Sequence, residues 1–268
     1  MSKVILEIAV FSVQSALDAI HAGADRIELC ENPNEGGTTP SYGSLLAMSK
    51  QQKVPVFPII RPRGGDFLYT DIEFQIMKQD VLIAKELGFK GVVIGLLNSD
   101  GSIDKIRTTE LVALAQPMQV SFHRAFDRCA DPIQGLEDII ASGCHRILTS
   151  GQVPNVTNAL PLIKQLVGQA NGRIIIMPGS GVRANNISEI IQQTGVLEIH
   201  SSARKSHPSQ MDFKVTSMNE NLQSTGVDAD EIKMMLSMPS TSSNAVSVAN
   251  AIQASGEVMI SILSVVLN

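Results

Sequence analysis

Cysteine is scarce: the three in the chain, Cys30, Cys129 and Cys144, form no CxxC pair. That excludes a disulfide framework and a closed zinc site, and a reducing compartment, the cytoplasm, is the expected home. Basic charge is also in deficit, with 21 Lys and Arg against 26 Asp and Glu. Nucleic acids and anionic membranes need a basic surface, so neither is an expected partner. Small molecules and other proteins remain, a homo-oligomer among them. Long hydrophobic runs are missing too. The longest, Val258 to Leu267, is far shorter than the roughly 20 residues that span a bilayer. Near the N-terminus, Glu7 interrupts the apolar run Val4 to Phe11 and no small-residue cleavage site follows, so no signal peptide is expected.

What is present fits one globular domain over residues 1–268, with 44% apolar and 18% charged residues. Short β-branched runs alternate with longer helical patterns, which is the signature of βαβ units. Eight runs are expected strands: Val4–Val10, Arg26–Cys30, Val56–Arg61, Gly91–Leu97, Gln119–Phe126, His145–Ser150, Arg173–Met177 and Leu197–Ser202. Helices are expected to begin near Ser12, Pro40, Ile72, Asp104, Pro132, Asn155 and Asn185. The repeated segments AGADRIEL, LGFKGVVI, SGCHRILT and TGVLEIHS each set a glycine between a helix and a strand, where it suits a left-handed cap. No GxGxxG follows the first strand, so an open dinucleotide-binding sheet is disfavoured. The expected fold is α/β, a (β/α)8 TIM barrel. After the eighth strand a polar stretch, about 203–244, reads as one long loop, and Ala245 to Leu267 would supply the eighth helix.

Alternation along each strand sends one set of side chains into the barrel. The inward set contains Glu7, Arg26, Glu28, Cys30, Ser121, His123, Glu198, His200 and Ser202, an unusually polar interior. Buried charges persist only if paired or chemically used. Arg26, Arg146 and Glu198 sit toward the strand starts and read as a structural ion-pair layer. Glu7, Glu28, His123 and His200 sit nearer the carboxyl ends, where such barrels carry activity, and are the candidate catalytic groups. With strands 8, 1, 2 and 3 adjacent, His200, Glu7, Glu28 and Arg61 should form an arc. In that arc Arg61 or a protonated His200 would keep the carboxylates ionised.

Two loop regions read as anion sites. RPRGGDF, from Arg61 to Phe67, combines Arg61 and Arg63 with a Gly-Gly turn, although a plain turn locked by an Arg–Asp pair is an equal reading. PGSGVRANN, carrying Gly179, Ser180 and Gly181, and HSSA, carrying Ser201 and Ser202, lie where barrels often hold phosphate against a helix N-terminus.

RPRGGDF, VSFHRAFD, RILTSG, GSGVRANN and VLEIHSS, in that order between Leu6 and Phe213, together resemble the CutC family of copper homeostasis proteins. The resemblance implies a TIM barrel, a cytoplasmic location and a role in copper handling or tolerance, with no defined reaction. The chain departs from the family at its C-terminal end, where EVMISILSVVLN replaces a polar or charged last helix. Cu(I) favours thiolate and thioether, Cu(II) accepts imidazole, so Cys30 with His123 is the candidate copper site. The eleven methionines read mainly as core filler. Three functions stay open: copper binding, acid/base chemistry on a small phosphate- or carboxylate-bearing metabolite, and a scaffold without catalysis. A Schiff-base aldolase is disfavoured, since Lys205 is the one lysine near a strand end.

Overall fold

The structure, a computed structural model, describes residues 3–238. Strands and helices alternate throughout: β1 (Ile5–Val10), α1 (Val13–His21), β2 (Arg26–Leu29), α2 (Tyr42–Ser49), β3 (Val56–Pro58), α3 (Asp71–Glu86), β4 (Gly91–Ile94) and α4 (Lys105–Ala115). There follow β5 (Gln119–Phe122), α5 (Pro132–Ala141), β6 (Arg146–Thr149), α6 (Leu160–Ala170), β7 (Ile175–Pro178), α7 (Ile187–Thr194) and β8 (Glu198–Ser201). All eight expected strands are present.

The strands pair in parallel in the orders β3-β2-β1-β8 and β4-β5-β6-β7. A bridge from Ile59 to Val93 joins the two arcs on one side, and β7 packs beside β8 on the other. The result is a TIM barrel. Its apolar strand faces, such as Leu6, Ile8, Ile27, Leu29, Val120 and Ile199, are buried against the helices, each contributing about 1.5–3 kcal/mol.

Local chemistry fixes the helix starts. Ser12, Thr70, Asp104 and Asp131 each accept an N–H of the first turn, and Thr70 with Glu73 forms a reciprocal capping box; such caps are worth about 1 kcal/mol each. The repeated glycine does what its position implied: Gly195, with φ 74°, ends α7 in the left-handed region.

The stretch after β8 differs from the single long loop expected there. A hairpin forms from β9 (Arg204–His207) and β10 (Ser224–Val227), followed by α8 (Ala229–Ser237). β9 is fully exposed, so it needs no alternation of apolar residues, and without that signal it reads as loop. Helix α8 packs on α1 and buries Ile232 and Met235, taking the place assigned to Ala245–Leu267, a segment outside the described residues. Among the described residues, no helix is long and apolar enough to cross a membrane.

Candidate active site at the carboxyl end of the barrel

A buried charge ladder runs up the inside of the barrel. Arg26 bridges Glu7 and Glu198, and Arg146 donates to Glu198 over 3.1 Å from its Nε. Both guanidinium groups lie over the Phe57 ring at 5.4 Å. The strand-start layer of Arg26, Arg146 and Glu198 is therefore present, but Glu7 belongs to it as well as to the mouth. The reason is register: residue 7 of β1 lies opposite Arg26, at the start of β2, and opposite His200, near the end of β8, the stagger that closing a barrel requires.

Above this ladder, Glu7, Glu28 and His200 converge. His200 Nδ1 lies 2.8 Å from Glu7 and its Nε2 3.7 Å from Glu28. Burial opposes the charge on Glu7, but Arg26 and the His200 hydrogen bond outweigh it and hold the carboxyl at about 2. At Glu28 burial, with the neighbouring Glu7 charge, prevails over the lowering charges of His200 and Arg26, and the carboxyl is pushed up to about 7. Burial would discharge His200, yet its bond to Glu7 and the charges of Glu28 and Glu7 raise it. Glu28 and the His200 ring, 3.7 Å apart, thus both hold a proton more readily than usual, while Glu7 stays ionised and orients the ring. This is the arrangement general acid/base chemistry uses.

The three groups are close enough to hold a metal ion in geometric terms. Two of their acceptor positions are already taken, however, since Glu7 is bound by Arg26 and by His200 Nδ1. What remains, Glu28 and His200 Nε2, is too small a set for a metal centre.

A cavity of about 240 Å³ opens above Glu28 and His200, lined also by Cys30, Arg61, His123 and Phe67. This volume falls below the ~300–1,000 Å³ of drug-sized sites, so it suits a small ligand. His123 is buried; burial first, and then the Arg61 charge, lower it to about 3, so the ring is neutral. Its Nδ1 accepts from the Ala125 N–H over 3.1 Å. That bond puts the proton on Nε2, which is buried without a partner among the described residues.

Of the expected anion-binding residues, Arg61, Ser180, Gly181, Ser201 and Ser202 line the cavity, whereas Arg63 and Gly179 do not. Arg63 is committed to Glu73, Asp66 and the Leu68 carbonyl, the locked turn that RPRGGDF equally allowed. The Gly179 amide donates to Thr149 O over 2.9 Å. Ser180 Oγ donates to Pro154 O at 2.7 Å and Ser201 Oγ to Val182 O at 2.8 Å. In the turn before α7 the Ala184 N–H is occupied too, donating to the Glu231 carboxylate of α8 at 2.8 Å. Arg61 does not pair with the carboxylates as the arc supposed. Its NH1 and NH2 donate to the carbonyls of Glu35, Gly37 and Gly65, and Arg26 takes the role assigned to it.

The cationic rim comes instead from Arg183 and Arg204, which line the cavity and make no ion pair among the described residues. Arg204 rests over the Phe11 ring at 4.8 Å and is lowered by burial and by the charge of Arg183. Arg124 lines the cavity as well, held by Asp127 and Ser150. The signal for these residues was in the motifs: Arg183 stands inside GSGVRANN and Arg204 directly follows HSSA.

The candidate copper ligands Cys30 and His123 both face this cavity. Cys30 is raised well above the ordinary thiol value, by burial and then by Glu28 and Glu7, so the thiol is protonated. Burial pushes Cys129 up to about 11 and Cys144 up to about 12, and neither lines the cavity. With a single protonated thiol and an imidazole that keeps its proton on the cavity side, the donor set does not make a resident Cu(I) centre.

Comparison with known proteins places this geometry among relatives. The family model of the CutC family matches residues 4–205. The mouse copper homeostasis protein cutC homolog is 49% identical over 214 residues, covering 80% of this chain and 79% of its own. A crystal structure of a CutC protein from Streptococcus agalactiae is similar with a TM-score of 0.71 and 36% identity, over 74% of this chain and 98% of that one. A more distant barrel, the aldolase QR15, shares the fold alone, with a TM-score of 0.57 and 17% identity over 73% of this chain and 89% of its own.

Proposed function

The chain belongs to the CutC family, and from that premise we propose that its barrel mouth is an enzyme-like site performing acid/base chemistry on a small anionic metabolite. The observation that carries this reading is the pairing of two layers in one cavity. Arg183 and Arg204 offer unpaired positive charge at the rim, while Glu28 and the His200 ring stand 3.7 Å apart in the same cavity. Guanidinium groups suit phosphate or carboxylate, and a carboxyl raised to about 7 beside an imidazole suits proton transfer. Binding and chemistry are thus divided between loops and strand ends. A cytoplasmic location accords with three unpaired cysteines.

A thermal-shift series tests the binding half. Orthophosphate and small carboxylates, against sodium chloride at matched ionic strength, should raise the melting temperature of the full chain, since a ligand selective for the native state stabilises it by mass action. Arg183→Ala and Arg204→Ala should weaken the effect. No stabilisation by any anion would sink the reading.

The copper role in the relatives' names draws in this chain on Cys30, which stands beside Glu28 in the same cavity. One soft ligand supports weak capture of copper as cargo and not a resident copper centre.

A further inference from the structure

Two donors in the cavity wall have nothing to bond. His123 Nε2 and Arg61 Nε are both buried and without a hydrogen-bond partner among the described residues. They belong to one patch: the His123 ring lies 5.0 Å from the Phe67 ring, and the Arg61 guanidinium lies 4.9 Å from the same ring. The fold takes trouble to place the imidazole. A side chain at Gly95 would collide with its Nδ1 and Cε1, so the absence of a Cβ there makes room for it. An unsatisfied buried donor costs about 1–3 kcal/mol, and such a cost is commonly kept where a ligand atom removes it.

The wall therefore asks for two oxygen acceptors close together. Neither donor can accept a hydrogen bond, because Arg61 has no acceptor and Nδ1 of His123 is used by Ala125. Glu28 and His200 line the same cavity. At the rim, Arg183 and Arg204 repel one another, and a phosphate monoester, carrying −1.5 to −2 at neutral pH, relieves that better than a single carboxylate. No lysine lines the cavity, so an iminium route is not served by the described residues.

Resting on the acid/base reading above, we propose that the ligand is a phosphorylated α-hydroxycarbonyl compound, a small aldose or ketose phosphate. Its carbonyl oxygen is received by His123 Nε2–H, while Glu28 takes the proton from the adjacent carbon. The C–H electron pair becomes the C=C bond of an enediol and the carbonyl π pair moves onto oxygen, where the His123 and Arg61 donors meet the charge that develops. Glu28 then returns its proton to the former carbonyl carbon. The hydroxyl proton passes between the two oxygens, so the sum is an aldose–ketose interconversion with no net change in protons or electrons. A neutral imidazole donor at the developing oxyanion and a carboxylate base at the carbon form a recognised pairing for proton abstraction beside a carbonyl.

The test has a binding arm and a chemistry arm on the full chain. Orthophosphate, glycerol 3-phosphate, dihydroxyacetone phosphate and ribulose 5-phosphate are compared by thermal shift, and the two ketose phosphates are incubated in D2O and followed by proton NMR. The expected result is stabilisation by all four, strongest for the ketose phosphates, with protein-dependent deuterium uptake at the carbon beside the carbonyl. Glu28→Gln should slow exchange by about 10²–10⁴-fold and His123→Phe by about 10²–10³-fold, each leaving the orthophosphate shift in place. His123→Gln, which keeps an N–H donor, should recover part of the loss and guards against misfolding of the Phe variant. Stabilisation by orthophosphate without deuterium uptake from either ketose phosphate would overturn this proposal and leave the anion site standing. No stabilisation by any phosphate would overturn both. Exchange by His123→Phe at the wild-type rate would remove His123 from the oxygen site.

Discussion

His200 turns its Nδ1 toward Glu7, at 2.8 Å, and that contact decides which nitrogen of the ring faces the cavity. Glu7 is at once the orienting group of the imidazole and the partner of Arg26, so one carboxylate links the structural ladder to the mouth. The two roles can be separated by measurement.

Replacing Glu7 with Gln removes one partner of a buried pair and should cost about 3–5 kcal/mol, read as a drop in melting temperature on the order of 10 °C for a domain of this size. The sign with pH follows from the lowered carboxyl, about 2 against an ordinary 4.5. Its stabilising contribution is fully present above 4.5 and is lost as pH falls through about 2. The gap between wild type and variant should therefore be constant from pH 8 to 5 and close in strong acid. A gap that grows toward acid would contradict the assignment.

Glu28 should behave in the opposite way. Its carboxyl is raised from 4.5 to about 7, so the contribution of the protonated form is complete below 4.5 and is lost as pH rises through about 7. His200, Glu7, Arg26 and the Cys30 thiol act on it there. Glu28→Gln should be near neutral in stability at pH 5 and more stable than wild type at pH 8, by on the order of 1–3 kcal/mol. Thermal melts at the two pH values decide it, and destabilisation at pH 8 would make Glu28 a structural partner.

Arg63 and Arg183 should part company. Arg63 is tied to Glu73 and Asp66, partly exposed and outside the cavity, so Arg63→Ala should cost no more than about 1 kcal/mol and leave the phosphate-induced shift unchanged. Arg183→Ala should lose a charge-assisted contact worth about 1.5–3 kcal/mol, roughly a tenfold or greater fall in phosphate affinity. Equal behaviour of the two variants would contradict the placement of the anion at the rim.

Copper should bind weakly and through one sulfur. In competition against a Cu(I) chelator the full chain should take up at most one ion per chain, and Cys30→Ser should abolish that uptake. Alkylation of Cys30 at pH 7 should be slow, because the buried thiol is held protonated beside Glu28. Unchanged stoichiometry and affinity in Cys30→Ser would remove this residue from copper handling.

The barrel was legible because each strand alternates and helices have local starts: Ile8 and Leu6 face the helices as their pattern implied, and Ser12 and Asp104 cap where they stand. Depth within the barrel was not legible from single strands. Glu7 falls level with Arg26 through the stagger between strands, which no strand displays by itself. The inward direction of Glu28, His123 and His200 could be read, whereas the occupation of Arg61 by the carbonyls of Glu35, Gly37 and Gly65 could not. Backbone acceptors leave no trace in residue type. The hairpin of β9 and β10 escaped for a related reason: exposed strands carry no apolar alternation.

That same Arg61 has a mechanical consequence. Its guanidinium fastens the turn at Glu35–Gly37 to the turn at Gly65, so two loops from different βα units are stapled into one plate beside the cavity. A ligand reaching the spare Nε of Arg61 meets a wall already set, with no loop to recruit and little ordering entropy to lose there. The adjustable part of the mouth is then the one where Arg204 enters from the exposed hairpin. Selectivity among phosphorylated ligands can accordingly drift through changes in that hairpin while the plate and the ring of strands stay as they are.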